Sequence, residues 1–203
     1  MPRPEIRIEQ AHLFVVEGIE ERRFWEAFLR RVWGRLDIQV LDTDGKDDIN
    51  GFLPGLVRAP GFSRVRWLGI AQDADDNAAG AFRRVSGALS RAGLAAPAGA
   101  WALATSKLPH LAVMVWPDGR QSGDLETMLL DALVAAPSFS CVEDFFSCLT
   151  RAGTGPRRQL AKARLNAYLA SLDPPHLRLG EAMESGVLSF PPTALARLRT
   201  LFP

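Results

Sequence analysis

Three aspartates, Asp73, Asp75 and Asp76, follow an apolar run in the stretch GIAQDADDN, residues 69–77. Such a run predicts a buried strand, and alternation along an extended tip would direct Asp73 and Asp75 to the same side. Clustered carboxylates repel one another unless a cation or protons neutralise them. Carboxylate oxygens without cysteine or histidine nearby suit Mg²⁺ or Mn²⁺. The stretch therefore predicts a site for a hard divalent cation.

Glu17 and Gly18 close the first apolar run of the chain, AHLFVVEG. The run predicts a buried strand and a turn, and a glycine there would let the backbone turn sharply and a ligand approach closely. In an open parallel sheet, ligands bind beyond the carboxyl ends of the strands. We therefore expect Glu17 to meet Asp73 and Asp75 at one point.

Other acidic residues have simpler explanations. An aspartate after a strand is more often a turn former or a helix cap than a ligand. We apply this to DGKDD, residues 44–48, as a solvated acidic turn in which Lys46 balances the charge. After the fourth apolar run, Asp124 or Ser122 can cap the helix that begins in SGDLETMLLDAL.

Four apolar runs, each followed by a helical pattern, determine the expected fold. Runs that are apolar throughout are typical of a parallel sheet covered by helices on both faces. Beyond about residue 138 the pattern predicts helices only. We expect an α/β fold with a Rossmann-like sheet of about four mainly parallel strands and a helical C-terminal extension. The strands are predicted within 11–18, 37–48, 63–76 and 110–118.

Composition excludes several classes of protein. The net charge of +1 shows no basic excess of the kind that tight, nonspecific nucleic-acid binding requires. The N-terminus has no apolar signal region and no stretch approaches the roughly 20 apolar residues that span a bilayer, so we expect a cytoplasmic protein with no membrane contact. In that compartment Cys141 and Cys148 are expected to be reduced, buried thiols.

Common catalytic motifs are absent from the sequence. There is no G-x-x-x-x-G-K-[ST] phosphate loop and no G-x-G-x-x-G after a strand. A calcium-binding EF-hand loop starting at Asp73 would need glycine and glutamate where Ala78 and Arg84 stand. The three histidines are scattered, and no serine lies in G-x-S-x-G. The carboxylates are therefore the remaining candidates for the functional groups of a site.

The acidic motifs together resemble a known domain. Glu-Gly in VVEGIEERRF, Asp-x-Asp in IAQDADD and the later GDLE resemble the TOPRIM domain, the metal-binding module of topoisomerases, bacterial primases and the overcoming-lysogenization-defect (OLD) nucleases. The whole chain resembles a bacterial TOPRIM-like family of unknown function, through the stretches DGKDDI, LGIAQDADDNAAGAF, WPDGRQSGDLETMLL, CVEDFFSCL and RLGEAMESGVLSF. The resemblance implies a TOPRIM-like α/β domain over residues 10–135 and a helical extension, packed on it, over residues 136–203.

The resemblance also implies roles for single residues. Glu17 matches the glutamate that acts as a metal ligand or as general acid/base, and Asp73 and Asp75 match the metal-binding aspartates. Glu126 in GDLE matches the acidic residue after the last strand in the OLD-type nucleases. Asp124 either joins this set or caps the helix.

Two differences from the TOPRIM enzymes limit which of their activities this chain is expected to have. A topoisomerase needs a tyrosine nucleophile on a separate domain, but the only tyrosine is Tyr168, in the helical extension. OLD-type proteins carry an ATPase, which this sequence lacks, so such a function would need a separately encoded protein partner.

The leading hypothesis is a Mg²⁺-dependent phosphoryl-transfer enzyme, a nuclease acting on DNA or RNA, with Mn²⁺ as the alternative ion. Its metal would be held by Glu17, Asp73, Asp75 and Glu126. Gly18 and Lys46 are expected to contact substrate, and further phosphate-binding candidates are Arg83, Arg84, Arg157, Arg158 and Lys162. The alternative is a TOPRIM-fold binding module without catalysis, for which exposed tryptophans would be a sign; core packing of the five tryptophans is the default.

Overall fold

The computed structural model describes residues 6–43, 49–156, 158–176 and 178–203. Strands and helices alternate through the first part of the chain, and only helices follow. In chain order the elements are β1 (His12–Val16), α1 (Ile19–Arg31), β2 (Ile38–Asp42), α2 (Ile49–Arg58), a short 3-10 helix (Phe62–Arg64), β3 (Trp67–Asp73), α3 (Ala78–Arg91), β4 (Ala102–Ala104), β5 (His110–Trp116), α4 (Leu125–Leu133), α5 (Phe139–Arg151), α6 (Leu160–Ala170), α7 (Leu179–Ser185) and α8 (Ala196–Arg199).

The strands form one five-stranded sheet in the order β2-β1-β3-β5-β4. The pairs β2–β1, β1–β3 and β3–β5 are parallel, whereas β4 pairs with β5 in the antiparallel sense. In register, Phe14 of β1 lies between Val40 and Gly69, and Gly69 pairs onward with Ala112. The four parallel strands confirm the fold that the apolar runs predict.

Helices cover both faces of the sheet, and alternation along β1 shows how. Leu13 and Val15 belong to a hydrophobic cluster with α2 and α3, whereas Phe14 and Val16 belong to a second cluster with α1 and the C-terminal helices. Neighbouring residues of a strand point to opposite faces, and here both directions are buried. This is why β1 is apolar at four successive positions.

One strand was not predicted from the sequence, and one helix contains a proline in its interior. The three-residue strand β4 follows the small-residue segment LAAPAGA, and three alanine- and leucine-type residues carry too little pattern to predict it. Helix α2 continues through Pro54. Its apolar residues Phe52, Leu53 and Leu56 are buried beneath the sheet, and this packing outweighs the helix-breaking tendency of proline.

The C-terminal segment packs directly on the sheet domain. The indole nitrogen of Trp67 in β3 donates a hydrogen bond to the carbonyl of Leu201 (2.9 Å). The ring of Phe202 contacts the rings of Phe14 and Trp67, at centroid distances of 5.1 and 4.8 Å. One hydrophobic cluster therefore runs from the sheet into the last residues of the chain. The division into 10–135 and 136–203 stays a prediction.

The tryptophans confirm the expectation of core packing. Trp25, Trp33, Trp67 and Trp116 are buried. Trp101 is half-buried, and the guanidinium of Arg197 lies 4.7 Å from the centre of its ring.

The expectation of buried cysteines is wrong. Cys141 and Cys148 are free thiols, as expected, but both are exposed on α5. That helix buries Phe139, Val142 and Phe146, and this apolar stripe turns the two cysteines toward solvent. Of the helices in the described ranges, none combines the length and apolar character needed to cross a membrane.

Candidate functional site

The central strands β1 and β3 create a crevice at the carboxyl edge of the sheet. Helix α1, which follows β1, packs with the hydrophobic cluster on one face, and α3, which follows β3, packs with the cluster on the other. Helices that leave adjacent strands in opposite directions open a gap between the strand ends, and ligands of α/β proteins bind there. Glu17 lies just after β1 and Asp73 ends β3, so both lie at this gap.

Three carboxylates converge at the crevice. Glu17, Glu21 and Asp73 each offer one oxygen, and these oxygens lie within 4.8 Å of one another. Backbone amides fix two of the side chains, because Glu17 Oε1 accepts from the Asp73 amide (3.0 Å) and Asp73 Oδ1 accepts from the Leu125 amide (2.9 Å). The geometry thus brings together Glu17 and Asp73, as the sequence predicts, and adds Glu21.

Glu21 is the functional candidate that the sequence did not single out. It lies in the first turn of α1, where acidic residues are common because they complement the partial positive charge of a helix N-terminus. Its Oε2 atom is nevertheless buried and has no hydrogen-bond partner among the described residues. A buried carboxylate oxygen without a partner is costly unless a cation binds it.

Burial and mutual repulsion shift the pKa of these groups in one direction. Burial, then the charges of Glu17 and Glu126, raises the pKa of Asp73 to about 8, against the hydrogen bond from Leu125. Burial, then the charges of Asp73 and Glu17, raises the pKa of Glu21 well above its usual value. Each carboxylate therefore favours a proton or a cation at neutral pH.

Asp75 lies at the same crevice for a different reason from the one predicted. Strand β3 ends at Asp73, and Asp75 has a φ of +49°, so the chain is not extended from Asp73 to Asp75. The prediction that alternation along an extended tip directs both side chains to one side is therefore wrong. Instead Asp75 forms an antiparallel bridge with Gly123, with N–O distances of 2.9 and 2.8 Å. This bridge ties the turn after β3 to the segment before α4. Asp75 lines the pocket from an exposed position.

The GDLE stretch contributes a helix cap and lines the pocket. Asp124 is the N-cap of α4, and its Oδ1 accepts from the amide (2.9 Å) and hydroxyl (2.6 Å) of Thr127, so the capping role is present. Asp124 also lines the pocket. Glu126 lines the pocket, and its Oε1 lies 3.8 Å from Lys162 Nζ. Burial raises the pKa of Glu126, while Lys162 opposes that shift.

Gly18 lines the pocket, but its backbone does not require glycine. Its φ of −142° and ψ of 170° are extended, so the expectation of a sharp, glycine-dependent turn is wrong. A Cβ atom built there meets nothing within 4 Å. The open space leaves room for a ligand, as predicted.

Replacing Gly18 with alanine tests whether a ligand approaches this point. We expect the free energy of unfolding to change by less than about 0.5 kcal/mol, because the added methyl group meets no atom of the chain. If the pocket is an enzyme active site, we expect KM for its substrate to rise about tenfold, because the methyl group occupies the ligand's space. Thermal unfolding and steady-state kinetics measure the two effects. An unchanged KM would mean that no ligand comes close to Gly18.

The C-terminal helices form the opposite wall of the pocket. The pocket has a volume of about 500 Å³, and its carboxylates face side chains from α6, α7 and the residues before them. Those polar side chains are Gln159, Lys162, Asn166 and Arg178. Lys162 was a sequence-based candidate for phosphate binding, whereas Arg178 was not.

The other candidates are not among the described residues that line the acidic pocket. Lys46 and Arg157 fall outside the described residues, as does the acidic turn 44–48. Asp42 is bound by Arg22 (2.8 Å) and lines a separate cavity of about 820 Å³ beside α2. Neither Arg158 nor the α3 residues Arg83 and Arg84 line the acidic pocket. The last pair lies on α3, which covers the face opposite α1.

The donor set fits a hard divalent cation. Carboxylate oxygens at one point, a buried oxygen on Glu21 without a partner among the described residues and a raised pKa on Asp73 all indicate negative charge concentrated on the sheet side of the pocket. Mg²⁺ and Mn²⁺ prefer oxygen ligands of this kind.

Comparison with known proteins gives one match. A family model described as Protein of unknown function (DUF3226) matches residues 11–202, which include every residue of the pocket. No curated protein matches the chain, and no solved structure does.

Proposed function

The chain belongs to this family of unknown function, and we propose that the protein is a magnesium-dependent phosphoryl-transfer enzyme, a nuclease acting on nucleic-acid phosphodiesters. The convergence of Glu17, Glu21 and Asp73 carries the proposal. Three carboxylates crowded at the ligand-binding edge of an α/β sheet destabilise the chain unless a cation or protons neutralise them.

The residues of the site have different proposed roles. Glu17, Glu21 and Asp73 would hold Mg²⁺ or Mn²⁺, with Asp75 and Glu126 on the adjacent walls. A divalent cation bound there supplies charge that neutralises a phosphate and polarises its P–O bonds. The hydrogen bonds from the amides of Asp73 and Leu125 hold two of these carboxylates in place before any ligand binds. Such preorganisation lowers the cost of forming the site.

We also propose that the fold is TOPRIM-like. The support is the placement of a glutamate after β1 and an aspartate at the end of β3 on one pocket, with an acidic residue after β5. In that case Glu17 acts either as a ligand or as the general acid/base that exchanges a proton with the substrate or with water. A separately encoded protein partner is part of the same proposal, by analogy with the OLD-type proteins.

Metal-dependent cleavage is the test of the proposed function. Labelled single- and double-stranded DNA and RNA would be incubated with the protein and Mg²⁺ or Mn²⁺. We expect Asp73→Asn and Glu17→Ala to lower the cleavage rate at least about a hundredfold, because each removes a ligand charge. Asp76→Asn is the matched control, because Asp76 is exposed and does not line the pocket. The absence of cleavage by the wild type, or equal cleavage by all four proteins, would refute the proposed nuclease activity.

A binding module without catalysis is the second candidate. The net charge of +1 favours it, because the protein as a whole gives little long-range attraction for nucleic acid. In that case calorimetry would detect Mn²⁺ binding that Asp73→Asn abolishes, while no phosphodiester would be turned over.

A further inference from the structure

The two walls of the acidic pocket carry opposite charges. Glu17, Glu21 and Asp73 lie on the sheet side, whereas Lys162 and Arg178 line the side formed by the C-terminal helices. Lys162 and Asn166 lie four residues apart on α6, so they share one face of that helix and both point into the pocket. A phosphate placed between the walls would meet cations on one side and metal-binding carboxylates on the other.

Both cations can exchange their present partners for a phosphate at little cost. Lys162 Nζ lies 3.8 Å from Glu126 and Arg178 Nη1 lies 3.6 Å from Glu20. The side chains of Lys162 and Arg178 are 56% and 60% exposed. Long ion pairs whose cation is more than half exposed are weak, so a charged phosphate oxygen competes well with them.

The size and lining of the pocket restrict what can enter. A volume of about 500 Å³ is that of a site for one small molecule. None of the described residues that line it is aromatic, so the pocket offers no platform on which successive bases could stack. The carboxylates lie between the sheet edge and the C-terminal helices. An unpaired strand end is narrow and flexible enough to enter a space of this size, whereas a duplex is too wide to enter it.

We propose that the pocket takes the phosphodiester at an unpaired strand end, entering end-on, with Lys162 and Arg178 bound to the phosphate group. This inference rests on the proposed function and names its substrate class. The recognised chemistry is a terminal phosphodiester, which DNA and RNA share. The enzyme is therefore specific for strand ends and does not cut within a duplex.

The reaction at the strand end is hydrolysis, and it needs only water as a second reactant. A bond forms between the water oxygen and phosphorus, and the P–O bond to the neighbouring nucleotide breaks. The leaving oxygen takes up a proton, and water gives one up. The products are a phosphomonoester and a hydroxyl end.

Substrates with and without ends test the inference. A 5-nucleotide single strand, bis(p-nitrophenyl) phosphate, a closed single-stranded circle and a closed duplex circle would be compared at equal phosphate concentration with Mg²⁺ or Mn²⁺. We expect the short strand and the small diester to be cleaved at least about a hundredfold faster than either circle. Comparable cleavage of either closed circle would overturn the inference and leave the proposed nuclease standing.

A binding measurement separates the two hypotheses when turnover fails. The fluorescence anisotropy of the labelled 5-nucleotide strand would be followed with Ca²⁺, in competition with the unlabelled circles. Preference for the strand with ends, together with no cleavage in Mg²⁺ or Mn²⁺, would refute the nuclease but support end-on binding. The absence of both binding and cleavage would overturn both.

Variants of the cationic wall provide the second readout. We expect Lys162→Met and Arg178→Met each to raise KM for the 5-nucleotide strand about five- to tenfold, because each removes a phosphate contact. We expect kcat and the Kd for Mn²⁺ to change less than about threefold, and Lys162→Arg to retain most of the affinity. Lys107→Met, at an exposed position outside the pocket, is the control. Unchanged KM in both wall variants would overturn the role assigned to them.

Discussion

Without divalent cations, the protein is expected to lose stability as the pH rises from about 4 to about 8. The pKa of Asp73 is raised from its ordinary value of 3.8 to about 8, so the folded chain holds a proton there that the unfolded chain has released. The stabilisation is complete below the unfolded pKa and is lost as the pH passes through the folded pKa. Glu21 and Glu126 act in the same direction. A total loss of a few kcal/mol is expected.

Mg²⁺ or Mn²⁺ should restore the stability lost at pH 8, because the cation replaces the proton. Asp73→Asn should raise the stability of the cation-free protein at pH 8 by about 1–3 kcal/mol, which corresponds to roughly 2–12 °C in Tm for a chain of this size. The amide oxygen of asparagine can still accept the Leu125 hydrogen bond that Asp73 accepts now. The same variant should lose most of the increase in Tm that the cation gives to the wild type.

Thermal unfolding at pH 5 and pH 8, with EDTA or with 5 mM Mn²⁺, measures these effects. Asp76→Asn is the control, because it removes the same charge from an exposed residue three positions away. Cation-free stability that does not fall from pH 5 to pH 8, or a Tm that Mn²⁺ raises equally in Asp73→Asn, would mean that this cluster binds no metal. A protein stabilised by Asp73→Asn yet inactive would show that the charge is kept for function at the expense of stability.

The sequence contained enough information for the sheet and for part of the site. The apolar runs of β1, β3 and β5 are buried on both faces, and this makes their pattern easy to recognise. Because the carboxyl ends of parallel strands share one edge, Glu17 and Asp73 could be placed together without coordinates. Both predictions depend only on strand direction, which the strand–helix alternation determines.

What the sequence could not supply depends on packing between distant segments. Glu21 looks like any acidic residue in a first helical turn, and only the folded chain buries its Oε2 and brings Asp73 close to it. Arg178 precedes a seven-residue helix, α7, whose sequence LGEAMES has too little periodicity to predict. The wall that Arg178 and Lys162 form exists only because the C-terminal segment folds back over the sheet edge. Charge and helical period give no sign of this.

Gly180→Ala is expected to destabilise the protein although the residue lies outside the pocket. A Cβ atom at Gly180 would lie 2.5 Å from the Cβ of Arg23, 3.3 Å from the carbonyl oxygen of Glu20 and 3.4 Å from the amide of Phe24. Cβ and backbone atoms cannot move aside as a flexible side chain can, so α7 must shift away from α1. Overpacking of this kind costs about 1–3 kcal/mol, which exceeds the roughly 1 kcal/mol that alanine gains over glycine in a helix.

The displacement should also reach the site, because α1 carries Glu21 and α7 follows Arg178 directly. We expect Gly180→Ala to lower Tm by several degrees and to weaken Mn²⁺ binding, measured by calorimetry on the folded fraction. Gly87→Ala is the matched control: it makes the same change within α3, where the nearest atom is the movable guanidinium of Arg91 at 3.4 Å, and it should keep or raise the Tm. If both variants behaved alike, the close contact between α1 and α7 would not position the acidic cluster, and the C-terminal wall would be independent of the metal-binding residues.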